Sequence, residues 1–191
     1  SSYRDFCEDL LFNKKLPGEF DTKKSSFALD KSSGTSEIMQ TAIGQGETLV
    51  SPYHMLLIAS AIANDGVLMN PYVVDHTENK DGELVKQFES QEYGKLLSES
   101  QAKTMQELMR DVVESGTASG LKGQSYTASG KTGSAEINSA KDTHAWFVGF
   151  ASKEDSGKPD IAIVVIAEKA GTGGKYAVPI AKAVFDAYYA Q

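Results

Sequence analysis

The run Ile161-Ala162-Ile163-Val164-Val165-Ile166-Ala167 is the longest unbroken apolar stretch of the chain and constrains its fold most. It is far shorter than the ~20 residues a membrane helix needs, so it reads as a strand. Two more strand candidates precede it, Tyr126 to Ile137 and Ala145 to Ala151, and the strand carrying the apolar run spans Asp160 to Glu168. Ser152 to Pro159 is a short polar linker, which only an antiparallel hairpin can use to join the last two strands.

Helices surround this sheet in the sequence. Ser51-Pro52 is a helix start, with serine as N-cap and proline at the first helical position. The segment it opens, Tyr53 to Asn64, is apolar nearly all round and is expected inside the domain. Ser98 with Gln101 forms a capping-box pattern before a second helix, whose stripe is Met105, Leu108, Met109, Val112 and Val113. Met105 and Met109 read as core. A closing helix is expected from about Ala177 to Tyr189, with Val178, Ala181, Val184, Phe185 and Tyr188 facing inward. Phe6, Cys7, Leu10 and Leu11 sit at helical spacing near the start. Asn13 to Thr35 is turn-rich and reads as an ordered but irregular loop, anchored by Leu16, Phe20, Phe27 and Leu29. Gly66 to Phe88 suggests short strands with turns at Asn70-Pro71 and Asp81-Gly82. The expected class is α+β, an antiparallel sheet flanked by helices.

A chain of 191 residues is long enough for one core and short for two domains. Its net charge of −7 excludes a generally basic nucleic-acid-binding surface but leaves room for a local cationic pocket. The single cysteine, Cys7, excludes an internal disulfide and any multi-cysteine metal site. No signal peptide opens the chain and Met is not its first residue; Ser1 to Phe6 reads like the interior of a longer protein.

The run Ala128-Ser129-Gly130-Lys131-Thr132-Gly133-Ser134-Ala135-Glu136 carries the clearest chemistry. Gly130 and Gly133 remove side chains beside the lysine and let another backbone, or a ligand, approach closely. Backbone N–H groups, a cation and a hydroxyl then lie together, as needed to hold a carboxylate and polarise a neighbouring carbonyl. A surface lysine on an edge strand, with threonine present for β propensity, fits the same nine residues. Both readings stay open on these residues alone.

Lys131-Thr132-Gly133 resembles the Lys-Thr-Gly motif on the active-site strand of penicillin-binding proteins and serine β-lactamases. Further segments are similar to the transpeptidase domain of high-molecular-mass penicillin-binding proteins. They are Ala42-Ile43-Gly44-Gln45-Gly46, Val50-Ser51-Pro52, Ala61-Ile62-Ala63-Asn64-Asp65-Gly66, Gly116-Thr117-Ala118 and His144-Ala145-Trp146-Phe147, in family order. The resemblance implies a β-lactamase/transpeptidase-like fold, incomplete at its N-terminal side, with residues 1–191 as the C-terminal portion of a single transpeptidase domain. It implies that Lys131 supplies positive charge to the catalytic cluster and the substrate carboxylate, and that Thr132 hydrogen-bonds that carboxylate. Lys131, Thr132, Gly133 and Ser134 would bind substrate, and the Ser134 N–H would be one oxyanion-hole donor.

The implied reaction is D,D-transpeptidation of peptidoglycan through an acyl-serine, without cofactor or metal, on stem peptides ending in D-Ala-D-Ala. β-Lactams would acylate the same serine. The implied location is the extracytoplasmic face of the bacterial cell membrane, with an anchor ahead of Ser1 and other cell-wall synthesis proteins as partners. A β-lactam receptor or catalytically silent relative is the alternative, and an independent small binding module is a third reading. The family also needs Ser-x-x-Lys and Ser-x-Asn. No Ser-x-Asn occurs, and the two Ser-x-x-Lys spacings, Ser100/Lys103 and Ser119/Lys122, lie too close before Lys131 to fit the family order. Both motifs are therefore expected upstream of Ser1, and this chain alone is expected to be inactive.

Other candidates are weaker. His54, His76 and His144 are far apart and show no metal-ligand spacing; His144 suits packing or rim hydrogen bonding. Gly171-Thr172-Gly173-Gly174 lacks the Lys-Ser/Thr of a phosphate loop and reads as a flexible turn beside the sheet. Glu136 and Asp142 flank the strand without forming a supported carboxylate pair, and Glu89 to Glu92 reads as solvated surface.

Overall fold

The computed structural model describes residues 3–137, 143–153 and 157–190; Asp142 and the middle of the linker before the last strand lie outside them. Its sheet is a meander of β5 (Tyr126–Glu136), β6 (Thr143–Lys153) and β7 (Ile161–Ala167), antiparallel throughout and ordered β5-β6-β7. Gly130 faces Gly149, Thr132 faces Phe147 and Ser134 faces Ala145 across the first pair. Among the described residues no strand pairs with the outer edge of β5 or of β7.

Both faces carry helices. The fully buried Phe147 and Phe185 join Tyr126, Ala128, Val178 and Ala181 in a core between the sheet and α5 (Gly173–Tyr189). On the other face Phe150 and Ala162 meet Ile62 of α3 (Pro52–Ala63) and Met109 of α4 (Glu99–Glu114). Coverage on two sides explains why the β7 run is apolar without alternation. Being at an edge, β7 is only partly enclosed, and Val165 alone among its residues is buried.

Both helix starts that the sequence signals are present. Ser51 Oγ accepts from His54 N–H at 3.1 Å, with Pro52 in the first turn. Ser98 and Gln101 exchange bonds, Ser98 N–H donating to Gln101 Oε1 at 2.9 Å and Gln101 N–H to Ser98 Oγ at 3.3 Å. Around these lie α1 (Tyr3–Asp9), α2 (Thr35–Ala42), and two small antiparallel pairs. One pair joins β1 (Val67–Met69) to β4 (Glu92–Lys95), the other joins β2 (His76–Glu78) to β3 (Leu84–Gln87). No helix among the described residues is long and apolar enough to cross a membrane.

Several expectations need correction. The closing helix begins at Gly173, not near Ala177, so Gly173 and Gly174 form its first turn rather than a free turn. A Cβ on Gly173 would lie 2.3 Å from the Trp146 carbonyl oxygen and 2.6 Å from that of Gly133, so only glycine lets the helix start against the strands. Met105 and Leu108 are not core, being 38% and 54% exposed, because α4 turns only Ala102, Met109 and Val113 fully inward. Val184 and Tyr188 likewise face outward on α5, and Phe20 is exposed rather than an anchor. Glu89 to Glu92 is exposed, as expected of solvated surface, although Glu92 opens β4 by pairing with Met69 rather than staying in the loop. The helix α3 is buried along His54, Leu57, Ala61 and Ile62, while Met55 and Leu56 are half-buried.

Candidate active site

β5 brings Lys131, Thr132, Gly133 and Ser134 together, and α5 sets their back wall. The Phe147 ring lies beneath the strand where a side chain on Gly130 would go; a Cβ there would be 2.3 Å from Phe147 Cζ. Gly130 is thus filled by the sheet's own core rather than left open for a ligand. At Gly133 the approaching backbone is the Gly173 turn of α5, and Gly173 N–H donates to Ser134 Oγ at 3.4 Å.

Strand geometry then fixes what faces outward. In an antiparallel strand a residue's N–H and C=O point to the same side, and successive residues alternate. The Ser134 carbonyl accepts from Gln45 Nε2 at 3.1 Å, and Glu136 N–H donates to Gln45 Oε1 at 3.3 Å, both on the edge away from β6. The Ser134 N–H therefore points to that open edge as well. Lys131 is exposed and its ammonium donates to the Thr132 carbonyl at 2.6 Å, which draws the charge to the same edge. Among the described residues Lys131 forms no salt bridge, so its charge is not neutralised by a neighbouring carboxylate.

Thr132 Oγ1 lies 2.5 Å from Thr117 Oγ1, in the turn between α4 and the short 3-10 helix Ser119–Leu121. A cation, two hydroxyls and an outward N–H on one edge can hold a carboxylate and stabilise negative charge developing on a carbonyl oxygen. Gln45 and Thr117 join this group although the sequence reading did not place them in the site. Both stand in short glycine-bearing turns, within segments that carry the family resemblance, but nothing local ties either side chain to β5.

Other candidates lie elsewhere. Lys103 pairs with Glu99, and Lys122 reaches Glu114 Oε2 at 3.0 Å, so neither lysine is turned to the serine of its Ser-x-x-Lys spacing. His144 Nδ1 accepts from Lys169 N–H at 3.2 Å, on the far side of β6 from the β5 edge. His76 is held between Asp75 and Glu78 at 2.8 and 3.1 Å, and Asp75 chiefly raises its pKa. His54 is fully buried, Nε2 bonding the Leu10 carbonyl at 2.7 Å, and burial pushes its pKa down. A cavity of about 310 Å³, lined by Glu19, Tyr72, Lys86 and Phe88 among others, lies against the β2–β3 hairpin and touches no residue of β5. Among the described residues no cluster of three His, Cys, Asp or Glu side chains is arranged to hold a metal.

Comparison with known proteins bears on the family of the chain. The penicillin binding protein transpeptidase domain matches residues 1–186. Peptidoglycan D,D-transpeptidase PbpA of Mycolicibacterium smegmatis is 29% identical over 156 residues, covering 77% of this chain and 31% of that protein. Peptidoglycan D,D-transpeptidase MrdA of Acinetobacter baumannii is 31% identical over 164 residues, covering 78% of this chain and 24% of that protein. The structure of penicillin-binding protein A from M. tuberculosis, solved as an imipenem acyl-enzyme complex, superposes with a TM-score of 0.83 at 24% identity. That superposition covers 97% of this chain and 41% of the other. The chain thus spans less than a third of these curated relatives, and it belongs to the penicillin-binding protein transpeptidase domain family.

Proposed function

We propose that this chain is the C-terminal portion of a single transpeptidase domain, in a peptidoglycan D,D-transpeptidase that cross-links stem peptides and is acylated by β-lactams. The convergence of the Lys131 ammonium, the Thr132 hydroxyl and the Ser134 N–H on one open strand edge carries the reading. In the reaction a serine oxygen attacks the carbonyl of the D-Ala-D-Ala bond, whose oxygen becomes an oxyanion held by Ser134 N–H. The C–N bond breaks, D-Ala leaves with a proton, and an amine of a second stem peptide takes the acyl group from the serine. Lys131 attracts the terminal carboxylate. Thr117 and Thr132 share a hydrogen bond between their hydroxyls, in which either can donate; with Thr117 as the donor, the Thr132 proton is left for that carboxylate.

The nucleophile and the Ser-x-Asn group belong to another part of the protein. The absence of Ser-x-Asn from these 191 residues, and the pairing of Lys103 and Lys122 with glutamates, support this. The membrane anchor lies outside the described residues too, and the domain works on the extracytoplasmic face, where its substrate is.

Labelling the full-length protein with a fluorescent penicillin tests the site. Lys131→Ala should slow acylation about tenfold to a hundredfold, the loss expected for one charge-assisted hydrogen bond. Unchanged labelling would remove Lys131 from the site. The 191-residue chain alone should show no adduct by intact mass, and a stoichiometric adduct would put the nucleophile within it. Release of D-Ala together with transfer to an added amine separates a transpeptidase from a receptor that only becomes acylated.

A further inference from the structure

Gln45 occupies an unusual position, reached through a defined helix ending. Ile43 caps α2, Gly44 N–H donates to Thr41 O at 3.0 Å and Gln45 N–H to Gln40 O at 2.9 Å. These are the two bonds of a Schellman ending, with Gly44 in the left-handed region at φ +76°. Gly46 is also left-handed, at φ +87°, so the chain turns sharply on both sides of Gln45 and presents its side chain to β5.

The carboxamide does there what a neighbouring strand would do. It donates to Ser134 C=O and accepts from Glu136 N–H, bridging two outward groups of the open edge. A peptide added to that edge as an antiparallel strand pairs with Ser134 through both backbone groups. With its carbonyl oxygen on Ser134 N–H, it must direct an amide N–H at Ser134 C=O, the acceptor that Gln45 holds.

We propose that Gln45 is a displaceable stand-in for the acyl donor's backbone and so helps determine which donors the site prefers. It pairs the outward groups of Ser134 and Glu136 while the edge is empty, and yields the Ser134 carbonyl to a donor amide. Donors with an amide N–H at that position compete with Gln45, whereas donors without one do not. The inference rests on the transpeptidase reading above.

The test uses the full-length protein and two acylating probes, a penicillin with an acylamino side chain and a carbapenem with no amide there. Gln45→Ala should raise the acylation rate constant for the penicillin relative to the carbapenem by about threefold to tenfold, the value of one exchanged hydrogen bond. Gln45→Glu, which keeps an acceptor for Glu136 N–H but no donor for Ser134 C=O, should raise the same ratio. Loss of folded protein lowers both rates together and leaves the ratio readable. An unchanged ratio in Gln45→Ala would overturn the proposal, and a lowered one would too, since Gln45 would then assist the amide-bearing donor. Wild-type protein acylated by neither probe would remove the transpeptidase reading, and this proposal with it.

Discussion

β5 is held from behind by the two largest fully buried side chains among the described residues, while the Gln45 turn across the edge is attached by two polar contacts and a helix cap. Phe147 and Phe185 are fully buried behind the strand. On α2, by contrast, Ile38, Met39 and Ile43 are exposed, Ile43 at 77%. Packing fixes geometry because any movement opens a void or a clash. Hydrogen bonds at an exposed edge can be exchanged for others at small net cost. The candidate site therefore joins a rigid wall carrying Lys131, Thr132 and Ser134 to a side whose contacts can be traded.

Substitutions on the two sides should separate widely. Phe147→Ala should destabilise the protein by about 3–5 kcal/mol in urea denaturation, whereas Ile43→Ala should stay within about 0.5 kcal/mol. Similar losses at both positions would break the contrast. Gly173→Ala should cost about 1–3 kcal/mol, because the added methyl meets two carbonyl oxygens and must push α5 from β5. Gly44→Ala should cost about 1 kcal/mol through its left-handed φ. It should also shift amide exchange at Glu136, which Gln45 protects, and leave exchange in the β5–β6 ladder unchanged.

Two histidines sharpen the comparison through pH. His54 is buried and its pKa is depressed, chiefly by desolvation, so the unfolded chain binds more protons than the native one below about pH 6.5. Stability should fall as pH drops from there toward the depressed native value, and His54→Phe should flatten that slope. His76 sits on the exposed hairpin with its pKa raised by Asp75 and then Glu78. Its contribution is present at low pH and lost as pH rises through the raised native value. The two slopes have opposite signs, and the exposed one should be the smaller.

Much of the frame was legible in order along the chain. The β6–β7 hairpin follows from two strand-like runs and a short linker, and the α4 start from Ser98 and Gln101. Less legible was α2, since Thr35 to Ala42 buries only Thr41 and leaves no apolar stripe inward. The early start of α5 was hidden because glycine is a poor helix former, and its reason lies in two distant carbonyls. Met105 was misread as core because a stripe at helical spacing does not say how wide the buried face is.

The sequence by itself determined the three strands of the main sheet, their antiparallel order, two helix caps, and Lys131, Thr132 and Ser134 as neighbours on one strand. Local spacing and short linkers carry that information, since they act within a few residues. Only the tertiary structure decided that Gln45 meets Ser134 across 89 positions, that Thr117 meets Thr132, and that Gly173 closes against Gly133. Those meetings depend on how α2, α4 and α5 pack around the sheet, and packing is a property of the whole core rather than of any one segment.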